Sequence, residues 1–118
     1  MASGIESQDQ INNKDELDQR KKILPAVTAS AMAATFKALA DPTRLRLLSI
    51  LFHGECCVNE LADALEMSQS AVSHQLRILR NLKFVSNRRD GHLIFYRIDD
   101  DHISDLFQRS LEHSEHLG

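Results

Sequence analysis

Three of the last seventeen residues are histidines, His102, His113 and His116, and Asp100 stands just ahead of them. Neutral imidazoles with one carboxylate make a ligand set for a tetrahedral Zn(II), each donor about 2 Å from the ion, and the same set suits Co(II) or Ni(II). If the segment is helical, His102 and His113 lie within about 20° of whole turns but about 16 Å apart along the axis. They share a face and not a site. The geometry therefore predicts that Asp100 and His102 of one chain meet His113 and His116 of an antiparallel partner helix. Two-fold symmetry then gives two such sites per homodimer.

The same segment carries a stripe suited to a partner. Ile103, Leu106, Phe107, Ser110, Leu111 and Ser114 recur at three- and four-residue steps, with Asp105, Glu112 and Glu115 opposite. The three histidines flank that stripe. One histidine at a polar C-terminus would need no explanation beyond a surface position. Three on one flank with an Asp at the start read as metal ligands.

The elements that must position these groups belong to one small domain, since 118 residues support a single core. The first 24 residues are almost entirely polar and charged and read as a loose arm, leaving 25–118 as the folded domain. No run approaches the roughly 18 apolar residues of a membrane span, and the acidic, polar N-terminus does not resemble a signal peptide. The expected location is cytoplasmic, without a membrane partner. Adjacent Cys56 and Cys57 cannot build a disulfide framework, which fits a reducing compartment.

A net charge of −3 hides an abrupt split. From Ser68 to Arg97 the bases Arg77, Arg80, Lys83, Arg88, Arg89 and Arg97 face the single acid Asp90. From Ile98 onward Asp99, Asp100, Asp101, Asp105, Glu112 and Glu115 face Arg109 alone. A phosphate-binding module followed by a cation-attracting one has this pattern.

Four helices are expected before the histidine segment. Ala26 to Ala40 is alanine-rich, with Met32, Phe36 and Leu39 available to pack. Asp41 and Pro42 then supply a cap and a first helical residue for a second helix through Leu45, Leu47, Leu48 and Leu51, which Gly54 stops. A short third helix spans Val58 to Leu65, and Ser68 caps a fourth that continues to about Leu82. The last two read as a helix-turn-helix. In the fourth, Val72, Leu76 and Leu79 face the core while Gln69, Ser70, Ser73, His74 and Arg77 project outward, with Arg80 adding charge. Short hydrogen-bonding side chains at its start let such a helix enter the major groove of double-stranded DNA. Phe84–Asn87 and Leu93–Tyr96 then read as strands joined by Arg88–His92, with Asp90-Gly91 supplying the positive φ angles of a tight hairpin. Arg88 and Arg89 at the tip of this wing suit the flanking DNA backbone or minor groove.

Leu39-Ala40-Asp41-Pro42-Thr43-Arg44-Leu45-Arg46-Leu47-Leu48, Ser68-Gln69-Ser70-Ala71-Val72-Ser73-His74-Gln75-Leu76 and Asp90-Gly91-His92 resemble the ArsR/SmtB family of winged-helix transcriptional repressors, over roughly residues 30–116. Asp100, His102, His113 and His116 are similar in spacing to the C-terminal ligands of its SmtB-type zinc sensors. The resemblance implies a mainly α fold with a β-hairpin wing and a homodimer joined through the terminal helices. It implies operator binding by Ser68, Gln69, Ser70, Ser73, His74, Gln75, Arg77, Arg80, Arg88, Arg89 and His92, released when zinc binds. Thiolate-sensing relatives carry a Cys-x-Cys box at the start of the third helix, where this chain has Cys57 and Asn59, so that soft-metal site lacks most of its ligands. A thiol or redox sensor acting through Cys56 and Cys57 is the alternative on the same fold. A metal carrier would have no use for the basic helix and wing, and no set of residues forms a recognisable catalytic constellation, so an enzyme is not expected.

Overall fold

The structure, a computed structural model, describes residues 16–117. It divides into two units that part between Ala34 and Thr35, inside helix α1 (Ala26–Leu39). In the first unit residues 16–22 are helical, although the sequence offers only a polar arm there; residues 1–15 of that arm lie outside the described part. Every residue from 16 to 34 is exposed, including the apolar Leu17, Ile23, Leu24, Val27 and Met32. Met32, expected to pack, does not do so within this unit.

The second unit begins with the end of α1 and continues through α2 (Pro42–Phe52), β1 (Cys56–Cys57), α3 (Val58–Leu65), α4 (Gln69–Asn81), β2 (Val85–Asp90), β3 (Leu93–Ile98) and α5 (Asp101–Leu117). Asp41 Oδ2 accepts the Arg44 backbone N–H at 2.9 Å, so α2 starts where an N-cap followed by proline dictates. Ser68 Oγ does the same for α4, accepting from Ala71 N–H at 3.1 Å. Such caps stabilise a helix by about 1 kcal/mol each.

Helices α3 and α4 end on residues in the left-handed region, Glu66 (φ 54°) and Lys83 (φ 63°). After α3, Met67 N–H reaches Ala62 O at 3.0 Å and Glu66 N–H reaches Asp63 O at 3.2 Å. After α4, Phe84 N–H reaches Leu79 O at 3.0 Å and Lys83 N–H reaches Arg80 O at 2.9 Å. Both are Schellman closures, which satisfy the last carbonyls and turn the chain sharply. The first makes the turn of the helix-turn-helix, and the second delivers the chain into the wing.

The core gathers α2, α3 and α4 against the inner face of the sheet. Leu47, Leu61, Val72, Leu76 and Leu79 retain no exposed surface. Burying such a side chain contributes about 1.5–3 kcal/mol. Leu45, on the same helix as Leu47 and Leu48, is 40% exposed and borders an open groove.

The sheet has strand order β1-β3-β2, antiparallel throughout. Strand β1 is absent from the sequence reading, because two residues carry no alternation to detect. The wing strands are longer than expected: Arg88, Arg89 and Asp90 pair with Phe95, Ile94 and Leu93. The turn is therefore Gly91-His92, and the arginines sit on the strand, not in the loop. Of the two turn residues Gly91 alone has positive φ (63°), the placement a type II′ hairpin demands of its first turn residue. Asp90 stays in strand geometry because the register continues through it.

Candidate DNA interface and metal-ligand sites

Helix α4 presents Gln69, Ser70, His74, Arg77 and Arg80 as exposed side chains, while Ser73 is half-buried. Ser68 is exposed too, with its hydroxyl committed to the cap. Gln75 is different. It is half-buried, and its Oε1 accepts from Arg44 Nε at 2.8 Å. Arg44 Nη1 also donates to Ala38 O at 3.1 Å, so one guanidinium joins the end of α1, the first turn of α2 and the middle of α4. Sequence reading placed Arg44 in a motif without giving it a role. Its partner is 31 positions away, and no local pattern announces that contact.

On the wing, the two adjacent arginines have opposite surroundings. Arg88 donates from Nε to both Glu55 oxygens at 3.0 Å and from Nη2 to Glu55 Oε1 at 2.6 Å. Its guanidinium lies 4.6 Å from the centroid of the Phe95 ring, and Nη1 is 3.9 Å from Asp90 Oδ2. The Arg88 hydrogen bond holds the Glu55 carboxyl below its ordinary range. Among the described residues Arg89 has no acidic partner within salt-bridge distance, and His92 is exposed in the turn.

The candidate metal ligands all lie on α5 or immediately before it. Asp100 sits at the N-terminal edge, where its Oδ1 accepts the His102 backbone N–H at 2.8 Å and lies 3.0 Å from His102 Nδ1. The backbone N–H chiefly, and the imidazole after it, hold the Asp100 carboxyl below its ordinary value. The His102 side chain is 98% exposed. His113 and His116 are exposed near the far end of the helix. The fold thus pairs Asp100 with His102 and leaves His113 and His116 apart from them. Among the described residues no group of three or more His, Cys, Asp or Glu side chains converges within the chain. An oxygen and a nitrogen donor 3.0 Å apart on an open helix flank are of the types a borderline divalent cation takes, and they would supply two of the four ligands of a tetrahedral shell.

The cysteines are both buried and both unbonded. Cys56 belongs to the hydrophobic core cluster. Cys57 Sγ lies 3.2 Å from Glu60 Oε1, and Cys56 Sγ lies 3.7 Å from Glu60 Oε2. Burial first, then the Glu60 charge, pushes the Cys56 thiol up to about 11. A thiol held protonated in this way is a poor nucleophile at neutral pH.

The amphipathic stripe of α5 is only partly covered. Ile103 is buried, Leu106 and Phe107 are half-buried, and Ser110, Leu111 and Ser114 are exposed. Phe107 packs against Phe52 of α2, the two rings tilted with centroids 5.3 Å apart. Beyond that contact the stripe and residues of α1 and α2, among them Phe36, Leu39, Leu45 and Ser49, line an open apolar groove of about 520 Å³.

A recognition helix with an uncharged, hydrogen-bonding start, followed by a basic antiparallel hairpin, defines a winged helix-turn-helix DNA-binding regulator. The model of the arsR family of bacterial regulatory proteins matches residues 41–87. Across 101 residues the chain is 46% identical to a transcriptional repressor SmtB homolog of Synechocystis sp., spanning 82% of this chain and 76% of that protein. It is 34% identical to a cadmium resistance transcriptional regulatory protein CadC homolog of Staphylococcus aureus, over 90% of this chain and 88% of that one. Among solved structures, apo-NmtR in solution superposes with a TM-score of 0.71 at 46% identity, covering 80% of this chain and 79% of that chain. A homodimeric winged helix-turn-helix domain from Mycobacterium bovis gives 0.70 at 33% identity, covering 79% and 87%. The chain belongs to the ArsR family, within its ArsR/SmtB branch of transcriptional repressors. It is a DNA-binding regulator and not an enzyme.

Proposed function

We propose that this protein is a metal-responsive repressor that holds operator DNA as a homodimer and lets go when a divalent cation binds between two antiparallel copies of α5. Asp100 and His102 from one chain and His113 and His116 from the other supply the ligands, and zinc is the first choice, with cobalt or nickel compatible with the same donors. The observation that carries this reading is the Asp100–His102 pair, 3.0 Å apart on an open flank and separated along the helix from the other two histidines. A second copy completes the shell. The apolar groove beside the α5 stripe offers that copy a surface to cover. Relatives named for cadmium resistance, and a neighbour described as homodimeric, make a metal effector and a dimer reasonable expectations for this chain.

The DNA side of the proposal rests on Gln69, Ser70, Ser73, His74, Arg77 and Arg80 of α4, with Ser68 at its cap and Arg89 and His92 on the wing. Gln75 and Arg88, whose side chains already have protein partners, contribute by holding the interface in shape. The Cys56 and Cys57 pair does not share this role, because burial and Glu60 keep Cys56 protonated.

The test is fluorescence anisotropy on an operator duplex selected from a random library, with Zn(II), Co(II), Ni(II), Cd(II) and a chelator run side by side. Binding with chelator that is released by about two zinc ions per dimer is the expected result. Zinc-independent binding, or release that requires only Cys56 and Cys57, would sink the reading.

A further inference from the structure

Register fixes which way each wing side chain points. Across β3, Arg88 pairs with Phe95 and Arg89 with Ile94, while Cys56 of β1 pairs with Tyr96. Val85, Tyr96 and Cys56 belong to the hydrophobic core, so the face they share is the one packed on the helices. Arg89 lies two and four residues on from Asn87 and Val85 and points to that same side, opposite Ile94 at the margin of the core. Arg88 points to the opposite side. There Glu55 takes its guanidinium with a two-nitrogen fork and the Phe95 ring lies beneath it.

We propose that Arg88 is a positioning residue that braces the wing through Glu55 and Phe95, and that Arg89 is the wing's contact to DNA phosphate. Glu55 immediately precedes β1, so the ion pair ties the wing strand β2 to the sheet's other edge across β3. An arginine fork and a ring stack restrict a guanidinium far more than a point charge would. Ile94 and Tyr96 hold the inner face of the wing against the core, whereas Arg88 and Phe95 lie on the opposite face, where the ion pair with Glu55 supplies the restraint.

The experiment measures binding of the full-length protein to a mixed-sequence duplex of about 30 base pairs across a salt series, where phosphate contacts set the slope. Arg89→Ala should lower that slope by about 0.9 per protomer bound. Glu55→Gln, Arg88→Ala and Arg88→Lys should each weaken binding by about three- to ten-fold, the cost of reordering one or two interface side chains. The combination of Glu55→Gln with Arg88→Ala should be no weaker than either alone, and thermal midpoints should stay near that of the parent, since exposed ion pairs contribute little to stability. An Arg88 that instead touches phosphate gives the opposite pattern: Glu55→Gln tightens binding and Arg88→Lys restores it. Either result overturns the proposal, as does an unchanged slope for Arg89→Ala. Brace variants that bind like the parent overturn it as well. So do brace variants whose thermal midpoints fall in step with their affinity, because the pair would then act on the fold and not on the wing.

Discussion

Arg44 Nε and Gln75 Oε1 stand 2.8 Å apart, and this contact fastens the recognition helix to the start of α2. The same guanidinium reaches Ala38 O at the end of α1. Arg44→Ala would leave both acceptors without a donor in a half-buried setting, a loss worth about 1–3 kcal/mol. We expect a urea midpoint lowered by that amount and weaker operator binding. Gln75→Ala should cost less, and the double variant should fall short of the sum by at least about 0.5 kcal/mol, because the two side chains act as one link. Strict additivity in the unfolding cycle would show that the contact carries no energy of its own.

Removing one proposed ligand that lies on α5, and not on α4 or the wing, separates the two halves of the proposed switch. His113→Ala should bind operator in chelator as the parent does, yet keep its grip when zinc is added. Linkage requires the reverse effect in the parent: if metal weakens operator binding, operator DNA must weaken metal binding by the same factor, commonly 5- to 150-fold. Equilibrium dialysis of zinc with and without operator measures it. Full zinc-induced release in His113→Ala would remove the α5 site from the account.

The parts of this architecture that sequence exposes are those with a period. Val72, Leu76 and Leu79 recur at helical spacing, and all three are fully buried in α4. Asp41 and Ser68 precede helices and cap them, because a cap is a local interaction. Contacts made by register are another matter. Glu55 and Arg88 are 33 positions apart and meet only because β3 brings β1 and β2 to its two sides. The two-residue β1 is too short to show alternation, and Arg88 reads as a free wing cation until Glu55 is in place. Helix ends on Glu66 and Lys83 escape the usual rule because that rule looks for glycine. The spacing of His102, His113 and His116 is read from sequence as a proposed ligand set, whereas within the chain only His102 stands beside Asp100.

The buried thiols should be slow to react. With the Cys56 thiol pushed up to about 11, its thiolate fraction at neutral pH is on the order of one part in ten thousand. Native protein mixed with a thiol-reactive chromogen should therefore label Cys56 on the timescale of unfolding, and labelling should accelerate in urea. Cys56→Ser should retain the full metal response while losing stability, since a hydroxyl replaces a core sulfur. Labelling of Cys56 within seconds in buffer would revive a redox role for the pair.

Acid should release the wing at a lower pH than an ordinary glutamate would allow. The carboxyl of Glu55 is depressed below its usual 4.5 by Arg88, so the ion pair is fully present above the unfolded value and is lost as pH falls through the folded value. An NMR signal for Arg88 Nε–H should titrate with a midpoint below 4.5. In Glu55→Gln that shift should already be displaced at neutral pH and show no acid transition. A parent transition centred above 4.5 would mean that the pair is not formed in solution.

Lys83 offers a way to add stability without touching either proposed site. Its φ of 63° is imposed by the Schellman closure of α4, in which its own N–H and that of Phe84 satisfy the Arg80 and Leu79 carbonyls. A side chain in that region costs about 1–2 kcal/mol, and glycine avoids the clash while giving back about 0.5–1 kcal/mol in lost chain entropy. Lys83→Gly should therefore raise stability by roughly 0.5–1 kcal/mol, read as a higher urea midpoint at unchanged slope. Glu66→Gly, at the corresponding end of α3, should do the same, and the two gains should add because the sites close different helices. Lys83→Ala is the control: alanine keeps the Cβ, so it should show no gain. If glycine lowered the midpoint at both positions, the left-handed residues would be stabilised by contacts of their side chains, and the closures would owe less to backbone geometry than their hydrogen bonds indicate.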